Sequence, residues 1–229
     1  MSRTARTVVA GHPHHITQRG NRRALVFVDD DDRHAYLRLL REAALLHGLE
    51  VWAWCLMSNH VHLVAAPRRE NSLARALRDA HGAYAMRFNT RHALSGHLWQ
   101  GRFFSCPLDE AHLWAAVRYV ERNPVRAGIA LKAQDYRWSS AAPHCGLRKY
   151  SLLHADFPPP GIIENWAEWL ASPEDAEQLD RVRACTSSGR PCGSADFIRT
   201  LETQTKRTLQ PKPRGRKKKP EESGQGMLW

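Results

Sequence analysis

The chain predicts an α+β architecture, an antiparallel sheet carrying helices on one face. Short β-rich runs alternate with amphipathic helical stretches. Two strand-like runs, 49–57 and 60–66, are separated only by Ser58-Asn59, which fits a tight antiparallel return. No run of 18 apolar residues exists, so a membrane span is not expected.

Each element follows from its residues. Positions 14–18 (HHITQ) alternate and run into Arg19-Gly20-Asn21, a strand and then a loop. Positions 25–28 (LVFV) form a second short strand-like run. Asp29, Asp30, Asp31 and Asp32 supply an N-cap and first-turn negative charge for a helix reaching about Leu46. His47-Gly48 stops it. The run 49–57 (LEVWAWCLM) is a buried strand, Ser58-Asn59 turns the chain, and 60–66 (HVHLVAA) returns until Pro67. Ser72 is expected to cap a helix to about Thr90, and 98–107 (LWQGRFFSCP) reads as a further strand. Asp109-Glu110 start a helix to Arg122 that Asn123-Pro124 closes, because a residue before proline avoids the α region. Strand, helix, strand, hairpin return, helix, strand is the rhythm of a ferredoxin-like fold.

After Trp138-Ser139-Ser140 the texture changes. Pro158-Pro159-Pro160-Gly161 is a linker or rigid turn. Three short helical stretches follow: 164–170, 173–184 behind Ser172, and 195–205 behind Ser194. The organisation expected is a catalytic domain over 1–148, a small helical extension over 149–208 and a basic, low-complexity tail over 209–229, read as disordered in isolation.

Charge narrows the partner. The 229 residues hold 34 Lys and Arg against 23 Asp and Glu, a net +11. Residues 206–219 contribute eight bases and no acid, yet residues 1–205 still carry +5. A body that stays basic favours a polyanion, most simply nucleic acid. Five scattered cysteines without a C-x-x-C argue against both a disulfide framework and a zinc ribbon. No apolar signal core follows the N-terminus, so a reduced, cytoplasmic protein is expected, nucleoid-associated when bound to DNA.

Two constellations could carry chemistry. In His60-Val61-His62 the histidines stand at i and i+2, facing one way on a strand and about 6.6 Å apart along it. Two imidazoles can then point at one metal while Val61 packs inward. The competing reading is two half-exposed polar residues on an outer strand face. Tyr119 and Asn123 stand four apart on a helix, on one face. A phenol can be a nucleophile and an amide oxygen can ligate a cation. Here the competing reading is a packing aromatic and an asparagine that ends the helix. Taken together, the motifs describe phosphodiester chemistry. A divalent metal on two histidines and an amide polarises the phosphate, and Tyr119 attacks phosphorus to leave a 5′-phosphotyrosine and a free 3′-hydroxyl. The covalent link keeps the reaction reversible, so strands can be rejoined.

The series Ser58-Asn59-His60-Val61-His62-Leu63-Val64, the run Tyr119-Val120-Glu121-Arg122-Asn123-Pro124 with Val125-Arg126-Ala127-Gly128, and Trp138-Ser139-Ser140 resembles the HUH single-tyrosine transposases. It looks more closely like their REP-associated tyrosine transposase branch. The resemblance covers about residues 12–146, and Gly189-Arg190-Pro191 with the basic tail is similar to extensions in some members. It implies a ferredoxin-like fold, an Mg²⁺ or Mn²⁺ cofactor, and cleavage of single-stranded DNA near hairpins. By position His60 and His62 match the metal histidines and Tyr119 the nucleophile. Asn123 falls where an amide completes the metal site. Insertion-sequence enzymes usually carry Gln there, a departure shared with the REP-associated branch that bears on autonomous transposition more than on nicking.

Candidate DNA contacts are Gln18, Arg19, Asn21, Arg22 and Arg23 in the loop after the first strand. Others are Arg68 and Arg69 after the histidine strand, and Arg102 beside Trp99, Phe103 and Phe104. In the tail, Arg214, Arg216, Lys217, Lys218 and Lys219 would add salt-sensitive affinity. The alternatives left open are a silent hairpin-binding protein, a hydrolytic metallonuclease in which Tyr119 is structural, and use of Tyr119 by the same or a partner subunit.

Overall fold

The computed structural model describes residues 6–210. The tail residues Arg214, Arg216, Lys217, Lys218 and Lys219 lie outside the described residues.

The sheet comprises β1 (His14–Arg19), β2 (Leu49–Met57), β3 (His60–Pro67) and β4 (Phe104–Pro107), in the order β2-β3-β1-β4. Every neighbouring pair is antiparallel, so the α+β, ferredoxin-like expectation stands. Alternation along the strands divides the sheet into two apolar faces. Ile16, Leu56, Val61, Leu63 and Ala65 point to one, buried beneath α1 (Asp30–His47) and α2 (Ser72–Arg91) through Leu40, Leu73, Leu77 and Tyr84.

The two long helices thus share one face, and the opposite face is covered as well. Ala53, Cys55, Met57, Val64 and Cys106 line it, too apolar to stand in water. The helix α3 (Glu110–Glu121) closes it, through Leu113, Ala116, Val117 and Val120. After α4 (Asn123–Arg126), α5 (Ala141–His144) and α6 (Trp166–Ala171), the helix α7 (Ala176–Ser188) packs on the same face through Val182, and α8 (Ala195–Thr205) follows.

Local chemistry explains where elements begin and end. Asp29 caps α1 by accepting from the Asp32 amide, and Gly48 ends it in the left-handed region at φ 67°. Several expectations shift. The run 25–28 is not a strand: the amides of Val26 and Phe27 both donate to the Ser58 carbonyl, so they clamp the β2–β3 turn while their side chains fill the core. The expected strand over 98–107 shrinks to β4, and Trp99 keeps one isolated bridge to Gly20. Ser72 is the first residue of α2 rather than its cap, and its hydroxyl accepts from the Arg69 amide.

The expected 173–184 helix becomes α7, because Asp175, not Ser172, accepts from the Glu177 and Gln178 amides. Asn123-Pro124 ends α3 but opens α4, where proline in the first turn loses no hydrogen bond. Glu121, fully buried, ties these pieces together. Its carboxylate accepts from Ser140 at 2.5 Å, His144 at 2.6 Å and Trp166 at 2.7 Å. Among the described residues no helix is long and apolar enough to cross a membrane.

Candidate active site

On β3 the alternation puts His60 and His62 on the face beneath α3, with ring centroids 4.9 Å apart. Both rings are anchored through Nδ1. That of His60 lies 2.6 Å from Asn59 Oδ1, and that of His62 lies 3.2 Å from Nε2 of His15 on β1. Burial, reinforced by Arg19, pushes the His60 pKa down to about 4. Burial, with His15 and His60 behind it, pushes His62 well below its usual value. His15 is driven to about 3, by burial and then by Arg126. All three are neutral imidazoles at physiological pH, and neutral imidazole is the form that ligates metals.

Tyr119 faces them from α3. Its ring meets His62 and His15 edge-on, each at 5.4 Å between centroids. Two guanidiniums flank the phenol: Arg126 Cζ lies 4.3 Å and Arg183 Cζ 5.2 Å from the ring centroid. Arg126 also donates to the Tyr119 carbonyl and pairs with Glu174 at 2.7 Å. Its pKa is lowered by burial, against the pull of Glu174. The pKa of Arg183 is raised, first by its hydrogen bond to the Tyr119 phenol. Tyr119, Arg183, His15, His60 and His62 enclose a cavity of about 200 Å³.

Asn123 does not line that cavity. A bend at Arg122 (ψ 0°) separates it from α3. Its Nδ2 is buried without a hydrogen-bond partner, so that nitrogen is not spent on capping. Among the described residues, no three His, Cys, Asp or Glu side chains form a ready metal cage. The donor chemistry here is two neutral imidazoles in reach of each other, an incomplete shell that fits a cation shared with a phosphate ligand.

The expected DNA contacts separate into two groups. Arg19 lines the cavity, and Gln18, although buried, also borders it while donating to the Gly101 carbonyl at 3.0 Å. Arg102 lines an adjoining cleft of about 700 Å³ with Arg6, Arg19, Arg190 and Arg207, and exposed Phe104 belongs to both spaces. Asn21, Arg22 and Arg23 form an exposed 3-10 turn that borders neither. Arg68 and Arg69 follow the far end of β3, roughly 20 Å of strand beyond His62, where Arg68 pairs with Glu50 at 2.8 Å. Trp99 and Phe103 pack against the core, in keeping with a structural role.

Sequence reading missed His15, Arg126, Arg183 and Thr186. The alternation His15-x-Thr17 is a signal that could have placed His15 on one strand face. Arg126, seven residues after Tyr119, also falls within two helical turns. Nothing in the sequence links Arg183 or Thr186 on α7 to the site, because their approach depends on tertiary packing.

A helix-borne tyrosine thus stands opposite a sheet-borne histidine pair. The family described as "Transposase IS200 like" matches residues 8–123, and the chain belongs to that family of DNA transposases. Its fold is shared with a solved REP-associated tyrosine transposase, itself bound to a REP hairpin, at 17% identity and TM-score 0.54 over 67% of this chain and 98% of that one. A proposed transposase from Deinococcus radiodurans R1 is similar at 22% identity and TM-score 0.37, covering 56% of this chain and 92% of that one. No curated protein matches.

Proposed function

We propose that this transposase cuts and rejoins single-stranded DNA beside hairpins, through a covalent bond to Tyr119. The observation that carries the reading is the phenol of Tyr119 standing over neutral His62, with Arg126 and Arg183 against its ring. Tyr119 Oη attacks a backbone phosphorus; the Oη–P bond forms and the P–O3′ bond breaks. The phenolic proton passes to solvent and the departing 3′-oxygen takes one up from solvent, so the products are a 5′-phosphotyrosine and a 3′-hydroxyl, and attack by that hydroxyl reverses the step. The guanidiniums stabilise the phenolate as its proton leaves and the charge gathering on the phosphate. His60 and His62 would hold the divalent cation, Mg²⁺ or Mn²⁺, whereas the amide of Asn123, outside the cavity, is not placed to join them. When bound, the cation polarises phosphate oxygens and neutralises the departing 3′-oxygen.

The cleft supports a single-stranded substrate. Five arginines supply phosphate contacts, and Phe104, 51% exposed, offers an unpaired base a stacking surface. Hairpin preference is carried over from the REP-bound relative. Tyr119 meets the histidines of its own chain, which supports action in cis.

The test is incubation with hairpin-bearing single strands and Mg²⁺ or Mn²⁺. A denaturant-resistant protein–DNA adduct is expected with wild type and none with Tyr119→Phe. Binding without an adduct would identify a silent hairpin binder. Released 5′-phosphate without an adduct would identify a hydrolytic nuclease.

A further inference from the structure

We infer that Thr186, on helix α7, sets the tautomer of His62 through His15, and so presents a bare Nε2 of His62 to the active site. This rests on the reading of His62 as a metal ligand. The direction of the chain follows from counting donors. The Thr186 hydroxyl has one proton and donates it to the Val182 carbonyl at 2.8 Å. Its oxygen is then left as an acceptor, 2.7 Å from Nδ1 of His15 and 3.2 Å from Cys106 Sγ. His15 therefore carries its proton on Nδ1, leaving Nε2 as a lone pair.

That lone pair lies 3.2 Å from Nδ1 of His62, which must donate to it. A neutral imidazole with its proton on Nδ1 has an unprotonated Nε2, the atom that can ligate a cation. If Thr186 instead donated to His15, every step would invert and Nε2 of His62 would carry a proton. The helical carbonyl of Val182, 2.8 Å from the hydroxyl, competes for its single proton and favours the first direction. His15 and Thr186 are both buried, and the His15 and His62 rings lie 5° from parallel, so little freedom remains to break the chain. Thr186 and His15 are positioning residues: neither needs to touch the phosphate.

The experiment uses the full chain, with ¹⁵N imidazole spectra of the metal-free protein and Mn²⁺ titration. Wild type and Thr186→Ser should both show His62 protonated at Nδ1. Thr186→Val keeps the shape but has no acceptor, so His62 should become a tautomer mixture and Mn²⁺ affinity should fall about 10- to 100-fold. Wild-type tautomers and affinity in Thr186→Val would overturn the inference. Mn²⁺ binding unchanged in His62→Ala would instead remove the metal reading, and the metal-free spectra would still judge the relay.

Discussion

At the residue scale, Tyr119 is defined by its neighbours: a phenol between two guanidiniums and two neutral imidazoles. The two arginines divide the work. Arg183 is exposed and engages the phenol, whereas Arg126 is partly buried and also holds Glu174. Arg183→Ala should slow adduct formation about 100-fold with an unchanged unfolding midpoint, read from single-turnover assays beside denaturant curves. Arg126→Ala should lower both. Glu121, two residues beyond Tyr119, has a structural task. Removing its carboxylate orphans donors on Ser140, His144 and Trp166, so Glu121→Ala should cost roughly 3–5 kcal/mol in urea denaturation.

At the element scale, capping and turn chemistry set the frame that carries the site. Asp109 caps α3 by accepting from the His112 amide, and its other oxygen accepts from the Ser194 amide at 2.8 Å, where α8 begins. One side chain thus serves two helix starts. Asp109→Ala should destabilise by about 1–2 kcal/mol, measured as a shift in chemical midpoint, and Asp109→Asn should recover part of it. Gly20 is required sterically: a Cβ there would sit 2.3 Å from the Ala24 carbonyl oxygen. Most elements were legible because their periodicity and caps are local. The run 25–28 misled because Val26 and Phe27 are β-formers buried for a different reason, as a plug at the β2–β3 turn. The 98–107 run misled because apolar residues were read as one strand, although only its last four residues join the ladder.

At the scale of the whole molecule, buried neutral histidines make stability depend on pH. Burial holds His14 down to about 4 and His81 to about 3, whereas the unfolded chain protonates near 6.5. Below pH 6.5 the unfolded state binds protons the folded state refuses. Stability is therefore full above that pH and falls toward pH 3–4, by about 1.4 kcal/mol per pH unit for each such histidine. Denaturation midpoints at pH 7 and pH 5 should show the decline, with a shallower slope in His81→Gln; equal midpoints would contradict it. Charge has a second global consequence. Alanine at Arg6, Arg19 and Arg190 in the cleft should lower single-strand affinity and flatten its log–log salt dependence by about 2, near 0.7 per phosphate contact. An unchanged slope would place the DNA elsewhere.

The chain alone determined the succession of the sheet strands and long helices, the shared facing of His60 and His62, and Tyr119 as a nucleophile candidate. These depend on spacings of two and four residues, which any strand or helix converts directly into a common side. Only the folded molecule decided that both sheet faces are covered and that α7 brings Thr186 and Arg183 to the histidines. It likewise decided that Arg68 and Arg69 stand apart from the cavity. Such meetings join residues as far apart as His15 and Thr186, 171 positions along the chain. They are fixed by the burial of an apolar sheet face, a demand that local sequence states without naming which distant helix will answer it.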